Sequence, residues 1–123
     1  MQLSEHFADN EFVCECCGDL IVDARLVMAL EEMRRITDTP IRLISGYRCK
    51  RHNAEVGGEI DSQHMSGRAA DIASRAGVDR MREIARGIAW VNGIGYDPAR
   101  GMLHVDVRMG KRAEWTYVNG KAV

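Results

Sequence analysis

Hydrophobic and polar positions alternate along this chain in two distinguishable periods. Over residues 22–36 the apolar residues Leu26, Val27, Leu30, Met33 and Ile36 recur at helical spacing. Asp23 falls in the first turn and Arg34 and Arg35 in the last, which suits the helix dipole, and Thr37-Asp38-Thr39-Pro40 ends the run. A second helix is predicted over 78–88, with Met81, Ile84, Ala85 and Ile88 on one face. A short helix over 49–56 is closed by Gly57-Gly58. Strands are predicted at 41–44, 69–72, 93–96, 103–107 and 115–118, and Asn119-Gly120 is a turn signal after the last. Helices and strands mix early and strands cluster late. That order predicts an α+β domain with helices packed on a small, mainly antiparallel sheet.

The chain has 123 residues, which predicts one domain over 1–123. With 46% hydrophobic and 28% charged residues it has the balance of a globular protein able to bury a core. A formal net charge of -1 offers no basic excess, so neither nucleic acid nor an anionic membrane surface is expected as a partner. No run approaches the roughly 18 apolar residues that span a bilayer. Residues 1–6, Met-Gln-Leu-Ser-Glu-His, lack a basic segment followed by an apolar one, so the expectation is cytoplasmic synthesis without a signal peptide. A monomer is expected.

Four histidines and four cysteines carry the candidate chemistry. His64 stands in Ser62-Gln63-His64-Met65-Ser66-Gly67-Arg68-Ala69-Ala70-Asp71, and His104 in Leu103-His104-Val105-Asp106-Val107-Arg108. Zinc takes imidazole nitrogen and carboxylate oxygen, and catalytic sites keep three protein ligands. The seven residues from His64 to Asp71 need a loop that returns into a strand. Gly67 provides the flexible point and Ala69 and Ala70 a close approach, and His104 on a later strand is the third candidate ligand. Spacing alone also fits a hydrogen-bonded His–Asp pair at the surface. Asp106 shares a strand face with His104, which suits either a general base or a partner that orients the ligand. Asp97 is the other candidate base. Cys14, Cys16 and Cys17, with Cys49 far off in sequence, fit a zinc cluster, a disulfide from Cys49 to one of the three, or free thiols. His6 and His52 are read as solvated, the methionines as core, and Tyr47 as packing.

Taken together, Ser45-Gly46-Tyr47-Arg48, Asn53, Val56-Gly57-Gly58, the segment 62–72, Gly93-Ile94-Gly95-Tyr96 and His104-Val105-Asp106-Val107-Arg108 resemble the D-alanyl-D-alanine carboxypeptidase family of zinc peptidases. That family shares its metal core with murein endopeptidases and the hedgehog domain. The resemblance implies one zinc ion held by His64, Asp71 and His104, and Arg48 steadying the scissile carbonyl oxygen. It implies hydrolysis of a peptide bond in bacterial cell-wall stem peptides, as carboxypeptidase or endopeptidase. Ser62 and Gln63 are expected to shape the metal loop or touch substrate. Many members carry a carboxylate three residues before the last ligand, or a histidine two before it. Here those positions are Gly101 and Met102. The alternative implied is a non-catalytic zinc module that binds wall peptides or serves as a phage structural component. Action at the wall from a cytoplasmic start suits a phage or prophage product.

Overall fold

A computed structural model describes residues 1–123. Three α-helices and six strands follow in the order α1 (Ala24–Thr37), β1 (Ile41–Ser45), α2 (Lys50–Glu55), β2 (Ala69–Ser74), α3 (Val78–Arg86), β3 (Gly93–Asp97), β4 (Met102–Asp106), β5 (Ala113–Val118) and β6 (Lys121–Ala122). The strands form one sheet in the order β1-β2-β4-β3-β5-β6. Every pairing is antiparallel except β3 with β5. The fold is therefore the α+β class read from the hydrophobic pattern. No helix is long and apolar enough to cross a membrane.

The helices form where their apolar faces find the sheet. Asp23 caps α1 from outside it, its carboxylate accepting the Arg25 N–H at 2.9 Å, one position earlier than the first-turn place expected. Leu26, Val27, Ala29, Leu30 and Met33 are the buried face of α1, and left-handed Asp38 ends it. Met81, Ile84 and Ala85 are the buried face of α3. The α3 helix stops at Arg86 rather than at Ile88, although Ile88 stays buried beyond it.

Alternation divides the sheet into two faces of different chemistry. Ala70 and Ile72 of β2, Ile94 of β3, and Leu103 and Val105 of β4 belong to one apolar core together with Leu30, Met33, Met81 and Ala85 of the helices. Their neighbours point the other way. Strand register places Ala69 opposite Asp106 and Asp71 opposite His104. The same register puts Gly93 opposite Asp106 and Gly95 opposite both His104 and Trp115. One face is thus aliphatic and packed, and the other collects carboxylates, imidazole and aromatic rings. Ala70 lies on the core face, so only Ala69 gives the second face the close approach expected of the pair.

Three local readings differ from expectation. His6 is not simply solvated. Its Nδ1 lies 2.6 Å from Glu31 Oε2, and its backbone N–H donates to Glu31 Oε1, which pins the N-terminal segment to α1. Met28 is exposed because it falls outside the apolar face of α1 that buries Met33, and Met109 is exposed in the segment between β4 and β5. The last turn signal leads into an additional strand, β6, paired with β5.

Gly67 is held on two counts. Its φ is +72°, and a Cβ there would lie 2.2 Å from the Ile21 carbonyl oxygen. The segment before α1 is clamped against this turn by the Asp23 N–H, which donates to the Gly67 carbonyl at 2.9 Å. Gly67→Ala is expected to destabilise the domain by about 2–4 kcal/mol, from left-handed strain plus the backbone clash. Urea denaturation checks this through a lowered midpoint with an unchanged slope.

Candidate metal centre

Three segments deliver the candidate ligands. His64 sits in a 3₁₀ turn, Gln63–Ser66, which begins where Ser62 Oγ accepts the His64 N–H at 3.2 Å. Asp71 and His104 are paired across β2 and β4. All three residues are buried, and their donor atoms lie within 4.8 Å of one another. His64 Nε2 is 3.3 Å from Asp71 Oδ2, and His104 Nδ1 is 3.1 Å from Asp71 Oδ1. Ligands about 2.0–2.1 Å from a common tetrahedral centre stand roughly 3.3 Å apart, so the donor set fits a zinc ion.

Each imidazole is oriented from behind. His64 Nδ1 donates to the Gly46 carbonyl oxygen at 2.8 Å, which leaves Nε2 as its free donor atom. His104 is turned the opposite way. Its Nε2 donates to Asp106 Oδ2 at 2.7 Å, and its Nδ1 faces Asp71. Asp106 is fully enclosed, and Arg108 holds it in a fork, with Nε 2.8 Å from Oδ1 and Nη2 2.7 Å from Oδ2. The Arg108 guanidinium lies over the Trp115 ring, and Trp115 in turn packs 5.2 Å from the His104 ring centre. Asp106 therefore serves His104 as an orienting partner. Both Asp106 oxygens are engaged and none reaches solvent, which favours the orienting role over the base role.

The charges are strongly coupled. Burial would raise the Asp71 carboxyl, but hydrogen bonds to His104 and His64 overcome that and hold it well below the usual carboxylate range. For Asp106 the burial effect is likewise overcome, by Arg108 and His104. Burial would lower the His104 imidazole, but Asp106 and Asp71 raise it above its ordinary value near 6.5.

Arg48 occupies the segment between β1 and α2. Its Nη2 donates to Asp71 Oδ2 at 2.9 Å and its Nε to Ser45 Oγ at 3.1 Å. A β1 irregularity between Leu43 and Ser45 brings Ser45 opposite Asp71, within reach of that guanidinium. Gln63 sits beside His64, with its side-chain oxygen buried and without a hydrogen-bond partner. Asp97 is buried on the same sheet face, one row from His104, and Arg100 holds it at 2.6 Å. Gly101 lies in the turn before β4 at φ +63° with open space where a side chain would go.

The sequence assigned no role at the site to Trp115 or Tyr117, and it carried Arg108 and the two glycines of Gly-Ile-Gly only as parts of motifs. A Cβ at Gly93 would fall 2.0 Å from the Asp106 carboxylate, and one at Gly95 2.7 Å from both Trp115 and Tyr117. These glycines make room for the carboxylate and the rings, whereas Ile94 between them faces the core. The spacing of Trp115 and Tyr117 by two was a visible signal that both share one strand face. The parallel β3–β5 pairing that brings them to His104 is long-range and has no local signature.

Two expectations follow. Asp106→Asn removes the charge that orients His104, and zinc affinity is expected to fall about 10- to 100-fold with the fold retained; competition with a chromophoric chelator measures it. In the metal-free protein, protonated His104 contributes stability that is fully present below its ordinary value near 6.5 and is lost as pH rises through its higher folded value. Zinc must displace that proton, so affinity should instead strengthen with rising pH over the same window. Thermal melts and zinc titrations in one pH series check the opposed slopes.

The family description Peptidase M15 matches residues 5–106. Among curated proteins none matches the chain. A match over most of the chain takes in both strands of the centre and the turn that carries His64, and so the chain belongs to the Peptidase M15 family, zinc peptidases of the D-alanyl-D-alanine carboxypeptidase type.

Proposed function

We propose that the protein hydrolyses a peptide bond in peptidoglycan stem peptides, as a carboxypeptidase or an endopeptidase acting at the bacterial cell wall. The observation that carries this reading is the convergence of His64, Asp71 and His104 with the Arg48 guanidinium against the same carboxylate. Zinc held by those three residues would polarise a carbonyl and lower the pKa of water beside it.

The chain's own groups complete the arrangement. Arg48 brings a fixed positive charge to the place where a carbonyl oxygen becomes anionic, and its hydrogen bonds to Ser45 and Asp71 hold it there without reorganisation. Asp106 and Arg108 keep His104 turned so that Nδ1 faces inward. Burial chiefly raises the Tyr117 phenol, with the Asp71 charge adding to it, so the hydroxyl stays protonated and able to donate to a substrate carbonyl. Asp97 is the carboxylate of this face that is not engaged with a candidate ligand. Both its oxygens accept from Arg100, so carrying a proton requires that half-exposed partner to move away.

A specific observation also favours the non-catalytic alternative. The position where many relatives hold a base is glycine in a left-handed turn, and the carboxylates of the face are paired in this arrangement. A zinc module that binds wall peptides, or serves as a phage structural component, would need no base.

Zinc-loaded protein incubated with purified peptidoglycan is expected to release new amino groups and shortened muropeptides, resolved by mass spectrometry. Arg48→Gln is expected to lower kcat by about 10²- to 10³-fold at saturating zinc. Asp97→Asn should lower kcat while zinc binding is retained. Zinc binding with muropeptide affinity and no cleavage would instead establish the non-catalytic module.

A further inference from the structure

The four cysteines, far apart in sequence, meet at one place outside the centre described above. Cys14, Cys16 and Cys17 lie on a tight turn, and the Gly18 N–H donates to the Cys14 carbonyl oxygen at 2.8 Å to close it. Gly18 itself has φ +74°, the left-handed position that such a turn requires. The result is a Cys-x₂-Cys-Gly knuckle built from Cys14, Cys17 and Gly18. Cys49 arrives from the other side as the N-cap of α2, with its sulfur accepting the His52 N–H.

The sulfur geometry is that of ligands. The sulfurs of Cys14, Cys17 and Cys49 lie within 4.8 Å of one another. Cys16 Sγ stands outside that trio but 3.8 Å from Cys49 Sγ, and all four thiols are free. Thiolates about 2.3 Å from a shared zinc are separated by roughly 3.8 Å, whereas a disulfide brings two sulfurs to about 2.0 Å. The cluster is also furnished with donors toward sulfur. The Cys49 N–H points at Cys14 Sγ at 3.4 Å, and the His52 N–H at Cys49 Sγ at 3.4 Å. Such N–H donors stabilise thiolate charge, which is what bound metal requires.

The geometry points to a second, structural metal site in which Cys14, Cys17 and Cys49 hold a zinc ion and Cys16 closes the fourth position. Four thiolates and no open position make it a closed site, without a place for substrate. Its location indicates what it does. The Tyr47 N–H donates to the Phe12 carbonyl at 2.8 Å, and Gly46 packs so closely on Phe12 that a Cβ would fall 2.8 Å from its backbone. Arg48 is the residue between this contact and Cys49. The metal would therefore lock the N-terminal segment onto the loop that presents Arg48 to Asp71, and Arg48 would be held from both sides.

Metal content of protein purified under reducing conditions tests this without reference to activity. Native mass spectrometry is expected to show two zinc ions per chain, with one retained in the His64→Ala/His104→Ala double variant. Cobalt substituted into that variant should give an intense thiolate-to-metal charge-transfer band, which nitrogen and oxygen ligands do not produce. Cys16 and Cys17 are exposed, so a thiol reagent should find them unreactive in the native protein and reactive once a strong chelator is added. A double variant free of metal, a cobalt spectrum without the charge-transfer band, thiols that react at once without chelator, or a native disulfide would each overturn the proposal. A protein that keeps the thiolate metal yet loses the first would separate this site from the fate of the peptidase reading.

Discussion

A carboxylate as enclosed as Asp71 must be met by positive charge, by hydrogen-bond donors or by a metal, because burying it alone would cost several kcal/mol. The rest of the centre follows from that requirement. His64 and His104 approach its two oxygens, and Arg48 adds a third contact. Each of those groups is then fixed by a second one: the Gly46 carbonyl for His64, Asp106 for His104, and Ser45 for Arg48. The cost of one buried charge is spread over a network that leaves two imidazole nitrogens and a carboxylate aimed at one point. Such a network is rigid because no member can move without leaving another unpaired.

The sheet makes this possible by keeping its two faces chemically separate. Ile72, Ile94, Leu103 and Val105 anchor β2, β3 and β4 to the helices, and the residues between them are free to be polar. Antiparallel register then sets Asp71 directly against His104. A shift of one residue in β2 would send Asp71 into the aliphatic core and Ile72 into the metal centre, so the packing that stabilises the fold also specifies the site. Gly93 and Gly95 complete the separation by leaving space on the polar face only.

Much of this was legible in the chain itself. The period of Leu26, Leu30 and Met33 marks α1, and short alternating runs mark the strands. His64, Gly67 and Asp71 at their spacing announce a turn that returns into a strand, and the left-handed Gly67 against Ile21 is the physical reason for that glycine. Family resemblance supplied what spacing left open between a metal ligand set and a surface pair. Other features were hidden because they depend on pairing between distant segments. In sequence Asp106 suited orienting somewhat better than accepting a proton, and the Arg108 fork that holds it was not legible there. Trp115 and Tyr117 became neighbours of the site only through a parallel strand pair. The cysteines gave three readings in sequence, and only the fold shows that their sulfurs come together as free thiols.

The central claim is that one zinc ion is held by His64 Nε2, the Asp71 carboxylate and His104 Nδ1. A crystal structure of the zinc-loaded protein, with anomalous differences measured at the zinc edge, tests it most directly. The account predicts an anomalous peak among those three side chains, with Arg48 beside it and His104 still bonded to Asp106 through Nε2. A structure with no peak there, or with His104 ligating through Nε2 and Asp106 released, would contradict it.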